Sequence, residues 1–231
     1  MTKETKQDID FSTVLASAVH DMKSSLNLLK QSIDGLNTCI DKSNPKANAF
    51  LSTAHYESSR LNTGLVQLLS LYRAELENLP INEDECFIED LLDNVFIAHE
   101  HYLGHKNMTL EIEQSPDLVK YFDIELITLL LNDILVNAMR YGNSKLLISA
   151  YAEDDWLCIR IEDDGQGYPP SMLKSNDIDM QNVKISEGRT GLGLFFARMI
   201  AGAHRRGDKR GFIELANGGK LGGSVFTLKL P

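Results

Sequence analysis

An acidic, glycine-containing stretch, I-R-I-E-D-D-G-Q-G at Ile159–Gly167, holds the residue types best suited to ligand chemistry. Apolar and polar residues alternate up to Asp163, which is the period of a strand with one buried face. A carboxylate fixed where a strand gives way to a loop can accept a hydrogen bond from an exocyclic amine such as adenine N6. Gly165 and Gly167 would let the backbone turn tightly and approach a ligand closely. Taken alone, the stretch is more typical of an ordinary acidic strand-to-turn junction.

A polar residue interrupts the apolar helical run Ile124–Met139. Asn137 lies late in that run, in L-V-N-A-M-R-Y. Its amide oxygen suits Mg²⁺, which takes oxygen atoms and phosphates rather than an all-protein cage. Arg140 and Tyr141 follow on the same helix face and could supply a phosphate contact and a wall for a base. An asparagine turned toward water, or bonded to nearby backbone, would explain the same pattern.

Two glycines, Gly191 and Gly193, stand at the start of a helix predicted to begin at Leu192, in T-G-L-G-L. Glycines just before a helix N-terminus expose backbone amides and the positive end of the helix dipole, which favours phosphate. G-x-G alone is a weak signal. A Rossmann-type interpretation fails, because these glycines follow a polar loop and not a strand.

His20 is a candidate nucleophile on a predicted long helix. Apolar residues spaced three and four apart between Phe11 and Ile40 form one stripe along that helix. His20 lies two residues from stripe positions, so it points about 200° away from the stripe and faces solvent. For this position alone, a solvent-facing histidine on a charged helix is the simpler interpretation.

The elements that must position these residues divide the chain into two parts. A second apolar stripe, Phe50–Leu76, follows a turn signal, so residues 1–79 are predicted to form an antiparallel helical hairpin. A lone hairpin cannot cover both stripes, and a homodimeric four-helix bundle is the simplest way to bury them. Residues 80–87, which are acidic and contain a proline, are predicted to be a linker.

Interleaved helices and strands over residues 88–231 predict an α/β sandwich with one layer of helices on one sheet, so the fold class is α+β. Helices are predicted at Ile88–Tyr102, Ile124–Met139 and Leu192–Ala203, and strands at Met108–Ile112, Leu146–Ala150, Trp156–Ile161, Gly211–Leu215 and Ser224–Leu230. Residues Tyr168–Thr190 are polar and irregular, which is typical of a functional lid or of disorder.

Composition narrows the class of protein. The net charge of −10 and the isoelectric point near 5.1 argue against nucleic acid as the main partner. The three cysteines form no metal-binding spacing and indicate a reducing compartment. No window of about 20 apolar residues predicts a membrane span, and residues 1–10 lack an apolar signal core. These features predict a cytoplasmic protein without membrane insertion.

The stretches that contain the candidate residues follow one another in the order V-H-D-M-K-S-S-L, L-V-N-A-M-R-Y, E-D-D-G-Q-G and G-L-G-L. From about Phe11 to Pro231 they resemble the H, N, G1 and G2 boxes of the transmitter region of bacterial sensor histidine kinases. The resemblance implies an ATP-binding domain of the GHKL (Bergerat) type, ATP and Mg²⁺ as cofactors, and a homodimer. It also implies a response-regulator receiver domain as partner and a separate sensor protein that supplies the signal.

The same resemblance implies roles for single residues. His20 would be the phosphoacceptor, Asp21 would accept a proton from its imidazole, and Ser24 would orient water for dephosphorylation of the regulator. Asn137 would be the Mg²⁺ ligand and Asp163 the adenine reader. The implied cofactor-binding residues are Asn137, Arg140, Tyr141, Asp163, Gly165, Gly167, Gly191 and Gly193.

The chain departs from the family pattern at several positions. Asp133 stands where a second asparagine is usual, Ser25 stands where proline is usual, and His204 is followed by a longer turn, R-R-G-D-K-R-G. Two other functions stay open. One is a phosphotransfer protein of the same architecture that does not use ATP. The other is an ATP-driven clamp of the superfamily that includes type II topoisomerases, Hsp90-type chaperones and MutL.

Overall fold

The computed structural model describes residues 11–231 apart from 41–43, 45, 49, 52, 55–56, 59–60, 62–63, 65–80 and 175–191. The chain forms two compact units, Met1–Tyr72 and Arg73–Pro231, and each is described by itself.

The N-terminal unit is helical over most of its described residues. Helix α1 spans Phe11–Cys39, and helical residues recur between Lys46 and Gly64. The side chain of Asn44 accepts a hydrogen bond from the backbone N of Ala47 at 3.1 Å, which is the N-cap arrangement of a new helix. The predicted break between two helices therefore lies where the turn signal placed it. The predicted antiparallel hairpin and dimeric bundle stay predictions.

Among the described residues of α1, some positions of the apolar stripe are buried and others are exposed. Ile33 is buried at 5% exposure, whereas Met22, Leu29 and Leu36 are between 46% and 53% exposed. These three exposed residues recur every seven residues, so they lie along one line of the helix. An uncovered apolar line of this kind is typical of a helix that packs against a partner.

The described residues of the C-terminal unit form four helices and nine strands, and five of the strands make one main sheet. Its elements are β1 Asp84–Phe87, α2 Ile88–Lys106, β2 Thr109–Gln114, β3 Val119–Phe122, α3 Ile124–Tyr141, β4 Lys145–Glu153, β5 Trp156–Asp163, α4 Pro170–Lys174, α5 Leu192–Ala203, β6 Arg205–Arg206, β7 Lys209–Arg210, β8 Phe212–Asn217 and β9 Ser224–Leu230. The sheet has the order β2-β4-β5-β9-β8, with β2 and β4 parallel and the other pairs antiparallel. Strands β1 and β3 form one separate pair, and β6 and β7 form another.

The hydrophobic core lies between the helices and one face of this sheet. Ile148 is paired with Ile161, and Ile161 with Phe226, so alternate residues of β4, β5 and β9 point to the same side. They form one buried cluster with α2, α3 and α5. The buried residues of α3 recur at helical spacing and are Ile127, Leu130, Leu131, Ile134, Leu135, Ala138 and Met139. The predicted α+β fold, with a helical layer on a sheet, is therefore confirmed for this unit.

A buried histidine ties the two helices that carry the candidate site. His204, just after α5, accepts a hydrogen bond at Nε2 from the backbone N of Asp123 (3.0 Å). Its Nδ1 donates to the carbonyl of Ile200 (2.8 Å), so the ring is neutral with its proton on Nδ1. Asp123 in turn caps α3 by accepting from the backbone N of Leu126 at 3.0 Å. The end of α5 is thus fixed to the start of α3.

The structure differs from the prediction in the short elements. Asp84–Phe87, inside the predicted linker 80–87, pair antiparallel with β3, so these four residues are a strand rather than a linker. Cys86 is the one buried side chain of this strand, which leaves too little alternation to signal it. Helix α4 begins the stretch Tyr168–Thr190 that was predicted to be irregular, and residues 175–190 of that stretch lie outside the described residues.

Candidate functional site

Asp163 is the last residue of β5 and is buried at 1% exposure. Its Oδ1 accepts hydrogen bonds from the backbone N atoms of Gly165 (2.8 Å) and Ser224 (3.1 Å). Its Oδ2 accepts from the hydroxyl of Ser224. Because a carboxylate offers about four lone-pair positions, three protein donors leave one for a ligand. The structure therefore fixes the Asp163 carboxylate at the end of β5, and its role as the adenine reader stays a prediction.

Three glycines, Gly142, Gly165 and Gly223, lie in or near contact with Asp163. A Cβ on Gly142 would lie 3.2 Å from the Cβ of Asp163, and a Cβ on Gly223 would overlap the Asp163 carbonyl and carboxylate. A Cβ on Gly165 would overlap the backbone carbonyl of Tyr141. Glycine at these three positions therefore lets the backbone pack closely around Asp163.

Gly167 and Asn217 fix the loop that follows Asp163. Gly167 has a φ of +80°, a conformation that glycine adopts without strain. The side chain of Asn217 then holds Tyr168 at both backbone groups, accepting from its N at 2.7 Å and donating to its O at 2.8 Å. A Cβ on Gly167 would lie 2.7 Å from Cγ of Asn217. Glycine at this position is thus required by conformation and by space.

Tyr168 lies beside the carboxylate of Asp163 and the hydroxyl of Ser224. Burial raises the pKa of its phenol, the negative charge of Asp163 raises it further, and the hydrogen bond with Ser224 opposes this. The phenol therefore stays protonated at neutral pH and adds a hydroxyl group next to Asp163. The sequence analysis did not select Tyr168, Ser224 or Asn217, because two of them are about fifty to sixty residues away from Asp163 in the chain.

Asp164 has a different task from its neighbour Asp163. Its carboxylate accepts from the backbone N of Asn143 at 2.7 Å and from the backbone N and the hydroxyl of Ser144 at 2.9–3.1 Å. Partial burial opposes ionisation, but these hydrogen bonds and that from Lys145 outweigh it and lower the pKa of Asp164 to about 2. Asp164 thus stabilises the connection from α3 to β4. Gly142, which lies in this connection, is next to Asp163.

Asn137 and Gly193 meet where α5 begins. Gly193 packs so closely on α3 that a Cβ there would overlap the carboxylate of Asp133 and lie 3.7 Å from Nδ2 of Asn137. Because α5 ends at the start of α3 and begins near Asn137, the two helices run antiparallel. The structure therefore brings together two of the predicted sites, the asparagine and the second glycine. Gly191 lies outside the described residues.

Arg140 and Tyr141 lie at the C-terminal end of α3. The guanidinium of Arg140 is 5.5 Å from the ring centre of Tyr141, a cation–π arrangement, and both side chains are exposed. The backbone of Tyr141 faces Gly165, which joins the end of α3 to the loop after β5. A phosphate contact by Arg140 and a base wall from Tyr141 stay predictions.

The predicted phosphoacceptor region belongs to the N-terminal unit. His20 lies within α1, and its side chain is outside the described residues. Asp21 and Ser24 are exposed on the same helix. The hydroxyl of Ser25 donates to the backbone carbonyl of Asp21 at 3.0 Å, so serine is used here to bond the preceding helical turn. The roles of His20, Asp21 and Ser24 stay predictions.

Among the described residues, no group of three or more histidine, cysteine, aspartate or glutamate side chains is arranged to hold a metal ion. Asp133 and Asn137 lie one helical turn apart on α3 and both face Gly193. The role of Asn137 as the Mg²⁺ ligand stays a prediction. In the part of the chain that the structure describes, no helix is long and apolar enough to cross a membrane.

The comparison with known families matches the C-terminal unit. Residues 122–231 match the family of histidine kinase-, DNA gyrase B- and HSP90-like ATPases. The sensor protein SrrB of Staphylococcus aureus (strain N315) is 25% identical to this chain over 239 residues. That alignment covers 100% of this chain and 40% of SrrB, so the chain spans less than half the length of this relative.

Solved structures of histidine kinases have a similar fold. The Acinetobacter baumannii histidine kinase AdeS has a TM-score of 0.60 at 22% identity, covering 91% of this chain and 96% of that chain. Full-length ShkA in complex with AMPPNP has a TM-score of 0.63 at 18% identity, covering 95% of this chain and 46% of that one. The catalytic domain of ThkA has a TM-score of 0.55 at 21% identity, covering 65% of this chain and 97% of that domain. Residues 122–231, which include the fixed acceptor Asp163, therefore match the ATPase domain that histidine kinases, DNA gyrase B and HSP90 share.

Proposed function

We propose that this chain is the kinase region of an ATP-dependent protein histidine kinase. It autophosphorylates His20 and transfers the phosphoryl group to an aspartate on a response-regulator receiver domain. The observation that carries this proposal is the buried carboxylate of Asp163, held by three protein donors and flanked by glycines, in the domain that matches the ATPase family. Sensor kinase relatives that align over the whole chain support the kinase rather than the chaperone or topoisomerase branch.

The described residues suit ATP in three places. Asp163 accepts a hydrogen bond from the exocyclic amine of adenine, which guanine lacks at the equivalent position. Asn137 provides an oxygen for Mg²⁺. Gly193 allows the N-terminus of α5 to lie against α3, where helix amides favour phosphate. Bound ATP supplies the phosphoryl group that is transferred.

The phosphoryl transfer uses residues of α1. Asp21 accepts the proton from one nitrogen of the His20 imidazole, which makes the other nitrogen more nucleophilic. That nitrogen forms the bond to the γ-phosphorus while the bond between this phosphorus and the bridging oxygen of ADP breaks. Support for this assignment comes from the sequence, in which His20 points away from the apolar stripe that a partner would cover.

We also propose that the chain is a homodimer through its N-terminal unit. Met22, Leu29 and Leu36 form an exposed apolar line on α1. Full burial of an exposed side chain of this size contributes about 1.5–3 kcal/mol, and because these three are already half-buried, covering each of them contributes roughly half of that. A second copy of the chain covers them by packing its own α1 and the helix after Asn44 against this line, which gives a four-helix bundle.

The test is incubation of the chain with γ-labelled ATP and Mg²⁺, followed by acid and base treatment of the labelled protein. We expect label that is labile to acid and stable to base, as a phosphohistidine is, and no label in His20→Gln. The His20→Gln variant should still bind ATP and dimerise, because neither Asp163 nor the exposed line is changed. Labelling of His20→Gln equal to the unsubstituted chain would contradict the proposed acceptor.

The two other functions give different results in the same assay. An ATPase clamp would release free phosphate without labelling His20. A phosphotransfer protein that does not use ATP would take label from a phosphorylated regulator but not from ATP. The buried acceptor Asp163 and the match of residues 122–231 to the ATPase family favour ATP use.

A further inference from the structure

We propose that Glu162 is a positioning residue for adenine recognition: its carboxylate holds the turn Asn217–Ser224 in the shape that brings Gly223 and Ser224 onto Asp163. The inference rests on the proposed function of the site as an ATP site. It assigns a role to a residue on the opposite face of the sheet from the nucleotide.

The turn Asn217–Ser224 depends on outside contacts for its shape. Four of its eight residues are glycine. Gly218, Gly219 and Gly222 have φ values of +104°, +65° and +88°, in the region where glycine is free and other residues are strained. Gly218 N donates to the carbonyl of Gly223, and Gly222 N to that of Gly218, both at 2.8 Å. A glycine-rich turn has high conformational freedom, so these two bonds need further contacts to fix one conformation.

The inner side of the turn fixes the adenine reader. Gly223 N donates to the backbone carbonyl of Asp163 at 3.0 Å. Ser224 then donates to both carboxylate oxygens, its backbone N to Oδ1 at 3.1 Å and its hydroxyl to Oδ2. The orientation of the Asp163 carboxylate is therefore set by where the turn places these two residues.

The outer side of the turn is held by Glu162. Successive strand residues point to opposite faces, so Glu162 lies on the face away from the helices, where it is nevertheless buried at 2% exposure. Its Oε2 accepts from the backbone N of Lys220 at 2.6 Å. Gly219 packs on the same oxygen, since a Cβ there would overlap it. The other oxygen, Oε1, lies 3.3 Å from Nε of Arg160, which balances the buried charge.

On its outer side the turn makes one further, weaker contact through Lys220. The ammonium of Lys220 lies 2.5 Å from the Glu113 carboxylate, with both side chains more than half exposed. Solvent-exposed ion pairs contribute little to stability, whereas a buried, charge-assisted hydrogen bond to backbone contributes more. Of the two contacts on the outer side of the turn, the one with Glu162 is therefore the stronger.

Loss of the contact between Glu162 and the turn should affect binding of adenine nucleotides in particular. A displaced turn withdraws the Ser224 donors from Asp163, and the carboxylate then has no fixed direction in which to accept from the adenine amine. Inosine triphosphate carries a carbonyl oxygen where ATP carries that amine, so it gains nothing from the Asp163 acceptor. The effect should therefore fall on ATP and spare inosine triphosphate.

The experiment is calorimetric titration of the full chain with Mg-ATP and with Mg-inosine triphosphate. In Glu162→Ala we expect ATP affinity to fall about tenfold, the size of one lost charge-assisted hydrogen bond, with inosine triphosphate affinity changed less than about twofold. Glu162→Gln keeps a side-chain oxygen for the Lys220 amide, so it should retain ATP affinity within about threefold.

A matched glycine pair tests the same contact from the side of the turn. Gly219 and Gly222 both have positive φ, so alanine brings backbone strain at either position. Only at Gly219 would the added Cβ overlap Glu162, while at Gly222 it meets no atom within 4 Å. We expect Gly219→Ala to lose the preference for ATP as Glu162→Ala does, and Gly222→Ala to keep it. If Glu162→Ala fails to fold, this pair decides the question.

Melting temperatures without nucleotide separate positioning from a structural role. Equal loss of affinity for both nucleotides, in step with a lower melting temperature, would show that Glu162 supports the fold alone and would overturn the inference. An unchanged ratio of the two affinities in Glu162→Ala, or loss of that ratio in Gly222→Ala as well, would overturn it too. Failure of the unsubstituted chain to bind ATP would instead overturn the proposed function, which is a distinct result.

Discussion

Replacing Asp163 with asparagine tests the acceptor on which the ATP site depends. The substitution keeps the size of the side chain and one oxygen, which can still accept from the backbone N atoms of Gly165 and Ser224. It puts an NH₂ group where Oδ2 now accepts from the Ser224 hydroxyl. The Ser224 hydroxyl can rotate to accept from this NH₂, but the NH₂ then offers a donor where the adenine amine needs an acceptor, and the negative charge is lost.

The size of the effect follows from these contacts. A hydrogen bond to a charged group contributes about 1.5–3 kcal/mol, and more is lost if a buried donor is left without a partner. At about 1.4 kcal/mol per factor of ten, Asp163→Asn should weaken ATP binding at least tenfold. GTP should compete poorly with ATP for the unsubstituted chain, because guanine has an oxygen where adenine has its amine.

Asp164→Asn is the matched control for this prediction. It changes the adjacent carboxylate by the same chemistry, but Asp164 bonds Asn143 and Ser144 rather than the glycine-lined surroundings of Asp163. Calorimetry should show a large loss of ATP affinity for Asp163→Asn and a small one for Asp164→Asn, with both variants folded by circular dichroism. Unchanged ATP affinity in folded Asp163→Asn would refute the adenine role.

Three further predictions concern other parts of the chain. Leu29→Glu places a charge on the exposed apolar line, so light scattering should show a monomer. Leu28 is 65% exposed and lies off that line, so Leu28→Glu should leave a dimer. Dimers in both variants would exclude the bundle. Ser24→Ala should abolish dephosphorylation of the regulator and leave autophosphorylation largely intact, whereas Ser24→Thr should raise the phosphatase rate. If the phosphorylated regulator decays as fast with Ser24→Ala as with the unsubstituted chain, Ser24 does not have this role. Because the folded-state pKa of Asp164 is about 2, below the unfolded value of about 3.9, its stabilisation is complete above about pH 4 and is lost toward pH 2. Urea unfolding should therefore show Asp164→Asn to be less stable than the unsubstituted chain at pH 7, with the gap closing over that acid range; a gap independent of pH would contradict the depressed pKa.

The long elements could be predicted from the sequence because their burial patterns are strong. Helix α5 and strand β9 have the predicted bounds, and α3 extends only two residues beyond its prediction. The short pairs β1–β3 and β6–β7 could not be predicted. Strand β1 buries a single side chain and β6 buries none, so neither has an alternation to detect. Their pairing is decided by tertiary contacts, which a local pattern does not contain.

Some residues of the candidate site could likewise be predicted from the sequence, and others could not. Asp163, Gly165 and Gly167 could be selected because a strand pattern, an acid and two glycines follow each other directly in the chain. Ser224 could not be placed beside Asp163, because their contact depends on the pairing of β5 with β9, about sixty residues apart in the chain. A single sequence gives no register for such a pair. The glycines before Ser224 are the one local signal that this turn approaches something closely.

The three consecutive acids at the end of β5 show why residue type alone does not assign a role. Glu162, Asp163 and Asp164 look equivalent in the sequence, and all three accept backbone hydrogen bonds in the structure. The three residues differ in the direction in which the backbone orients each side chain. Glu162 points to the outer face and contacts the turn Asn217–Ser224. Asp163 points to the face that the helices cover, towards the candidate site. Asp164 lies in the loop after β5 and bonds the connection after α3. Strand alternation predicts that Glu162 and Asp163 must differ, and only the partners on each face show how.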